Sequence, residues 1–317
     1  MRTALVLGAS GGIGGETARA LVTHGWQVRG LSRTPRQHGV IDWRIGDALD
    51  IAAVLAAAKG VEVIVHAVNP PGYRDWDRLV MPMLKNSIEA ALTNEARLAL
   101  PGTIYNYDPS EEPLADPETP QHPRTHKGAI RKAMEECMET TLGLRSLVLR
   151  AGDFFGPRPG NSWLSQGMIR PGKVVRRVIN PSRHGAGHAW AYLPDVAETF
   201  ARLLDRQDCL PAFARYHFAG YWDTDGGSFA RAILQAAGRS TGPIWPFPWF
   251  VLPIAGLFNV TMRELVEMRP FWTHALRLDN TSLVETIGPE PHTPLDDALR
   301  TTLVALGCLP QASAARN

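Results

Sequence analysis

A short apolar strand that runs straight into glycines three residues apart leaves a chain few architectures to choose from. Here the run is Leu5-Val6-Leu7-Gly8-Ala9-Ser10-Gly11-Gly12-Ile13-Gly14, and a helix-forming stretch, Gly12–His24, starts within it. Gly8 allows a sharp turn out of the strand. Gly11 removes the Cβ that would stand in front of an incoming anion, and Gly14 lets the helix pack close to the sheet. The N–H groups of Ser10, Gly11, Gly12 and Ile13 gather where the helix presents its positive dipole end. The ligand expected of such a loop is the pyrophosphate of a dinucleotide.

Beyond the loop, strand and helix patterns alternate through the first 150 residues. Ala4–Leu7, Gln27–Leu31, Ile41–Ile45, Val61–Ala67, Thr103–Tyr107 and Arg145–Leu149 read as strands, and Gly12–His24, Ile51–Lys59, Trp76–Leu100 and Thr125–Leu142 as helices. Several of the strands are unbroken apolar runs, as expected of a parallel sheet covered on both faces. The alternation predicts an α/β fold, a Rossmann-type doubly wound parallel sheet. After Arg150, glycine, proline and tryptophan cluster in Ala151–Trp163 and Pro243–Phe250, which predicts a smaller, irregular C-terminal lobe. The expected division is a dinucleotide-binding unit over 1–151, returning to the sheet near 186–206, and a mainly substrate-binding lobe over 152–317.

Composition enters through what it excludes. A formal net charge of +2 with scattered basic residues argues against nucleic acid and against an anionic membrane surface. The longest later apolar stretch, Trp245–Val260, is broken by Pro246, Pro248, Pro253 and Gly256, short of the unbroken run of about 20 residues that spans a bilayer. Cys137, Cys209 and Cys308 lie far apart with no CxxC, which fits the reduced cytoplasm. His184 and His188 have no carboxylate or cysteine at ligand spacing, so no metal is expected. Gly160-Asn161-Ser162 lacks the closing glycine of a nucleophile elbow, which sets serine hydrolysis aside.

Four ordered segments carry a family resemblance. Gly8–Gly14, Gly46-Asp47-Ala48-Leu49-Asp50, Leu149–Arg158 and Tyr192–Ala197 look like those of the extended short-chain dehydrogenase/reductases, the group containing nucleotide-sugar epimerases and dehydratases. The resemblance covers nearly the whole chain. It implies a nicotinamide dinucleotide cofactor and a small-molecule substrate bearing a hydroxyl or carbonyl, with sugar nucleotides among the options. It places Asp47 on the adenine amine with Ala48 beside it, and Ala67, Val68 and Asn69 along the ribose. Asp153, Arg158, Asn161 and Trp163 follow the sixth strand, where the family binds substrate. Arg176, Arg177, Arg183, His184 and His188 form a basic stretch that suits a diphosphate or, equally, a solvated face. Asp195, after Pro194, reads as a helix cap. Extended members commonly form homodimers through the helices after the fourth and fifth strands, although Trp76–Leu100 is as well suited to packing within one chain.

Two features are specific to this sequence. The second strand ends Gly30-Leu31-Ser32-Arg33, with Arg36 following, and no carboxylate stands where an NAD enzyme would hold the ribose 2′-hydroxyl. A guanidinium there forks onto a 2′-phosphate and Ser32 adds a donor, which favours NADP over NAD. The second feature is a departure. The family's Tyr-x-x-x-Lys puts a phenol and an ammonium on one helix face for proton exchange. Here Lys127 falls on the tyrosine position and Arg131 on the lysine position, or Gly128 and Lys132 with a shift of one residue. Either Lys127 or a phenol of the fifth strand, Tyr105 or Tyr107, takes over the proton while Arg131 holds the nicotinamide ribose, or the chain is a cofactor-binding redox sensor without reductase chemistry.

Overall fold

Alternate side chains of the first strand, β1 (Thr3–Leu7), leave on opposite faces, and both faces are dry. Ala4 and Val6 pack with Leu21 and Phe200, while Leu5 and Leu7 pack with Val54 and Leu84. A strand buried on both sides belongs in the middle of a parallel sheet covered by helices. The computed structural model describes residues 2–37, 39–70, 75–160, 162–252 and 265–310.

After β1 come α1 (Gly12–Thr23), β2 (Gln27–Ser32), β3 (Ile41–Ile45), α2 (Ile51–Ala58), β4 (Val63–His66), α3 (Trp76–Thr93) and β5 (Arg97–Thr103). Then follow β6 (Leu114–Ala115), α4 (His126–Thr140), β7 (Arg145–Ala151), β8 (Asp153–Phe155), β9 (Val178–Asn180), β10 (His188–Tyr192) and α5 (Leu193–Asp205). The remainder holds β11 (Phe213–His217), β12 (Tyr221–Asp223), α6 (Ser228–Ala236), β13 (Ile244–Pro246) and β14 (Arg277–Leu278), with helices over Thr281–Ile287 and Leu295–Ala305. Seven strands form one all-parallel sheet in the order β11-β7-β5-β4-β1-β2-β3. Chain direction across the sheet reverses between β1 and β4. The crevice beyond the carboxyl ends of those strands is where this topology receives a ligand.

The predicted fold class holds, and the structure moves three boundaries. The fifth strand is Arg97–Thr103 rather than Thr103–Tyr107, and α3 ends at Thr93 rather than Leu100. Glu95, at φ 52°, turns the chain out of the helix. Pro101 is tolerated inside β5 because the ladder with β4 stops at Ala99, so on that side no partner needs its missing N–H. The third change concerns the return near 186–206. Its strand, β10, pairs with β8 and β12 in a separate three-stranded sheet, its helix α5 packs on α1, and the strand that rejoins the main sheet is β11. A second apolar core lies around this small sheet, with Phe155, Trp190, Tyr221, Phe229 and Trp272 packed among Leu164, Ile233 and Leu299.

Candidate functional site

The glycine loop is tight enough to need its glycines. Gly8 has φ 88°, and a Cβ on it would stand 2.4 Å from the Ala67 carbonyl oxygen; a Cβ on Gly14 would stand 2.4 Å from the Gly8 carbonyl oxygen. Helix α1 follows Gly11 at its N-cap, with no side-chain cap and no acidic residue in its first turn. Its leading N–H groups therefore face an anion with neither a side chain nor a negative charge in the way. This fits a dinucleotide's pyrophosphate.

From that loop opens a cleft of about 340 Å³ lined by Gly8, Ser10, Gly11, Ser32, Arg33, Arg36, Asp47, Ala48, Ala67, Val68 and Asn69 among others. Gly12, Ile13 and Gly14 lie behind it in the first turn of α1. At the end of β2, Ser32 Oγ donates to the Thr34 carbonyl oxygen at 2.9 Å and accepts from Arg36 Nε at 3.2 Å. Its hydroxyl hydrogen is thus committed to the turn. Ser32 therefore serves as the anchor of Arg36 rather than as the donor to a phosphate, and the Arg36 guanidinium is steadied further by the Trp43 ring at 5.1 Å. Asp50, not Asp47, caps α2, accepting from Ala52 N at 3.0 Å. Asp47 accepts from Leu49 N at 3.0 Å and lines the cleft.

A second cavity, also about 340 Å³, shares Asn69 with the first. Trp76, Phe154, Trp163, Phe247 and Leu265 supply apolar wall, and Thr103, Tyr105, Arg131, Asp153, Ser162 and Gln166 supply polar groups. Arg131, from α4, donates to Asn69 Oδ1 at 3.1 Å and lies 5.1 Å over the Trp76 ring. Tyr105 donates to Asp153 Oδ1 at 2.9 Å, and Asp153 Oδ2 lies 2.8 Å from His188 Nε2. Below Arg131, His66 stays neutral, because burial and then the Arg131 charge hold its imidazole down at about 3. A third hollow, lined by Arg170, Lys173, Arg176 and Arg177, shares Gln166, Gly167 and Phe247 with the second.

The structure brings some of the expected catalytic and substrate residues to these cavities and keeps others away. Arg131 and Asp153 line the second cavity. Tyr107 does not reach it: fully buried, it receives a hydrogen bond from Arg150, lies 2.9 Å from His217 Nε2 and donates to the Asp116 carbonyl oxygen at 3.3 Å. Burial pushes its phenol up despite the neighbouring Arg150, so it stays protonated. Lys127 is buried in the first turn of α4, outside the described lining of either cavity. Arg158 turns back to Glu16 of α1 at 3.1 Å, and the Arg158–Pro159 backbone lies against Gly12, so it borders the glycine loop instead of the second cavity. Asn161 lies outside the described residues. Asp195 is no cap: it sits in the first turn of α5 and accepts from Thr293 N at 2.8 Å.

Sequence reasoning missed His188 as the partner of Asp153, and it missed Trp76 and Phe247 of the aromatic walls. The alternation in β10, where His188 and Trp190 share one face, was the available signal for the first. Trp163 was among the expected substrate residues and lines the cavity; for Trp76 and Phe247 there was no signal, because they come from separate segments. Among the described residues, no three His, Cys, Asp or Glu side chains gather as a metal site, and no helix is long and apolar enough to cross a membrane.

The sequence pattern of the NAD dependent epimerase/dehydratase family matches residues 4–216. Similar solved structures include Bordetella bronchiseptica WbmH in complex with NAD+, 18% identical over 96% of this chain and 98% of that one, with a TM-score of 0.71. UDP-N-acetylglucosamine 4-epimerase from Bacillus cereus is 15% identical over 95% and 97%, TM-score 0.70. UDP-glucose 4-epimerase from Bifidobacterium longum, in complex with NAD+ and UDP, is 14% identical over 96% and 97%, TM-score 0.71. At such identities the likeness is one of fold. No curated protein sequence matches the chain.

Proposed function

Since this chain belongs to the NAD dependent epimerase/dehydratase family, we propose that it is an NADP-dependent oxidoreductase or epimerase/dehydratase acting on a hydroxyl or carbonyl compound held in the aromatic-walled cavity. The observation that carries this reading is the meeting of two cavities at Asn69, one floored by the glycine loop and flanked by Arg33 and Arg36, the other walled by tryptophan and phenylalanine. The nicotinamide supplies a hydride acceptor or donor there. Gly8, Ser10, Gly11, Gly12, Ile13 and Gly14 would hold the pyrophosphate, Asp47 and Ala48 the adenine, and Ala67, Val68 and Asn69 the riboses. Arg33, and Arg36 braced by Ser32, would take the 2′-phosphate. The UDP and UDP-sugar complexes among the similar structures, together with Arg170, Lys173, Arg176 and Arg177 beside the second cavity, favour a sugar nucleotide whose diphosphate rests on those cations.

The cofactor assignment is tested by fluorescence titration with NADPH and NADH. NADPH should bind at least about tenfold more tightly, about 1.4 kcal/mol, and Arg33→Ala with Arg36→Ala should erase the difference. Equal or tighter binding of NADH would sink the NADP assignment. A second reading, a redox sensor, is favoured by one observation: α4, which begins His126-Lys127-Gly128-Ala129-Ile130-Arg131-Lys132, carries no Tyr-x-x-x-Lys. Binding that discriminates reduced from oxidised cofactor, without turnover of UDP-glucose, dTDP-glucose or simple ketones, would decide for the sensor.

A further inference from the structure

We propose that Tyr105, Asp153 and His188 form the proton-handling unit of the second cavity, Tyr105 as the catalytic residue and Asp153 and His188 as its positioning residues. The proposal rests on the reading above that a hydroxyl or carbonyl compound reacts in this cavity. Neither residue on the family's catalytic helix positions supplies the proton: Lys127 is buried off the described cavity wall, and a guanidinium such as Arg131 does not give one up at neutral pH. Tyr107 is turned away into the Arg150 and His217 network. Among the described residues, Tyr105 is the phenol that lines the cavity, with Asn69 and Arg131.

Its hydrogen bonds form a line that ends in backbone. Tyr105 donates to Asp153 Oδ1 at 2.9 Å, and Asp153 Oδ2 meets His188 Nε2 at 2.8 Å. His188 Nδ1 lies 3.1 Å from the Phe271 carbonyl oxygen, which only accepts, so Nδ1 carries a hydrogen. The His188 ring stacks on Trp272 with centroids 3.8 Å apart and planes 11° apart, and Phe271 meets the Tyr105 ring edge-on at 5.1 Å. The β8–β10 ladder, in which Trp190 pairs with Asp153, fixes the two inner members relative to each other. A structural clamp between these strands would need neither Tyr105 nor Asp153 on a cavity wall; here both line it. The arrangement has the logic of a buried carboxylate orienting an acid–base group by hydrogen bonds.

The protons balance. In the oxidative direction the substrate hydroxyl hydrogen passes to Tyr105 Oη while Tyr105's own hydrogen passes to Asp153 Oδ1, the hydrogen shared between Asp153 Oδ2 and His188 Nε2 resting on Nε2. The O–H bonding pair becomes the second bond of the carbonyl, and a hydride leaves the same carbon for oxidised nicotinamide dinucleotide. In the reductive direction Asp153 returns its proton through Tyr105 to the carbonyl oxygen.

Two measurements test the unit, one of them independent of cofactor and substrate. In the unliganded protein, the ring-nitrogen NMR signals of His188 should shift in Tyr105→Phe, because the phenol's hydrogen bond to Asp153 is lost; unchanged signals would overturn the coupling. With NADPH or NADP+ and a set of probes comprising UDP-glucose, UDP-N-acetylglucosamine, dTDP-glucose, benzaldehyde and cyclohexanone, Tyr105→Phe should lower kcat about 10²–10⁴-fold while the NADPH Kd stays within about twofold. Asp153→Asn should lower kcat, counted per NADPH-binding site by titration, with KM within about threefold; counting sites removes the effect of any unfolded fraction. Full activity in Tyr105→Phe would overturn the proposal, as would a wild-type protein that binds NADPH but turns over none of the probes. Failure of the wild-type protein to bind NADPH would instead sink the cofactor reading, and the NMR comparison would still judge the unit.

Discussion

A Cβ placed on Gly128 would stand 2.0 Å from the carbonyl oxygen of Tyr105 and 2.8 Å from Pro123 Cβ. Helix α4 therefore rests directly on the turn Ile104–Asn106, and this contact sets the height of Tyr105 above the second cavity. Thr125 reinforces the seat by accepting from Gly128 N at 3.0 Å. In an exposed helix, alanine would be better than glycine by about 1 kcal/mol. Here overpacking wins, so Gly128→Ala should destabilise the protein by about 1–3 kcal/mol. A thermal melt should show a loss of several degrees, and an unchanged or raised Tm would refute the contact's importance. The same residue shows why the helix was hard to read at the level of single positions. Lys127 attracted notice as a substituted tyrosine, whereas the neighbouring glycine does the positioning, and only the fold reveals what it touches.

At the scale of elements, α1 and α5 are joined by a charged clasp. His24 Nδ1 meets Asp205 at 2.6 Å and Nε2 meets Glu198 at 3.0 Å, while Trp26 Nε1 donates to Asp205 at 2.8 Å. Burial pulls the His24 imidazole down, but its hydrogen bonds to Asp205 and Glu198, with their charges, outweigh burial and raise it above its ordinary 6.5. Burial likewise pushes Asp205 and Glu198 up, and hydrogen bonds from His24, Trp26 and Arg202 with nearby positive charge bring both below their ordinary 3.8 and 4.5. The signs follow from linkage. The histidine contribution is complete below pH 6.5 and fades as pH rises through its raised folded value; the carboxylate contributions are complete above their ordinary values and fade as pH falls through the lowered ones. All three overlap between about pH 5 and 6.5. Solvent screens so exposed a clasp, so the Tm difference between wild type and His24→Gln should be only about 1–2 °C at pH 5.5 and should shrink by pH 8. A difference that grows toward pH 8 would contradict the assignment.

Elements also explain what could be read from the sequence. The strand β1, its glycine loop and the first helices were legible because burial on both faces writes continuous apolar runs, and because an anion cradle made of backbone needs glycines in a fixed local order. The end of β5 was not legible: Pro101-Gly102 reads as a break, and only the short ladder of β4 makes it a strand. The first cleft drew its lining from residues at successive strand ends, so family resemblance located it. The second cavity joins Tyr105, Asp153, Trp163 and Phe247 from separate segments, with His188 behind them. The Ala151–Trp163 segment was legible as substrate-lobe sequence, whereas the joining of Tyr105, Phe247 and His188 to it comes from long-range packing that leaves no local pattern.

In the whole molecule, the chain leaves the main sheet after β7, lays down β8 and β10 of the small sheet, returns through α5 to add β11 as the edge strand beside β7, and then completes the small sheet with β12. The return is locked from below. Arg97, fully buried at the start of β5, donates to the carbonyl oxygens of Ser146, Gln207, Leu210 and Pro211, tying β5 and β7 to the segment that leads into β11. From above, Asp195 of α5 holds Thr293 through both N and Oγ1, at 2.8 and 2.7 Å. Pulling α5 and β11 away from the sheet would break these hydrogen bonds, and the aromatic-walled cavity meets the glycine-floored cleft at Asn69. One cooperative thermal transition is expected. A ligand that binds only the native state stabilises it by about 2.7 kcal/mol at a hundredfold excess over Kd. NADPH at that level should raise the single Tm by about 4 °C, increasing with the logarithm of its concentration. Two calorimetric transitions, only one of which moves with NADPH, would show that the parts unfold independently, and a Tm indifferent to NADPH would remove the cofactor from the cleft.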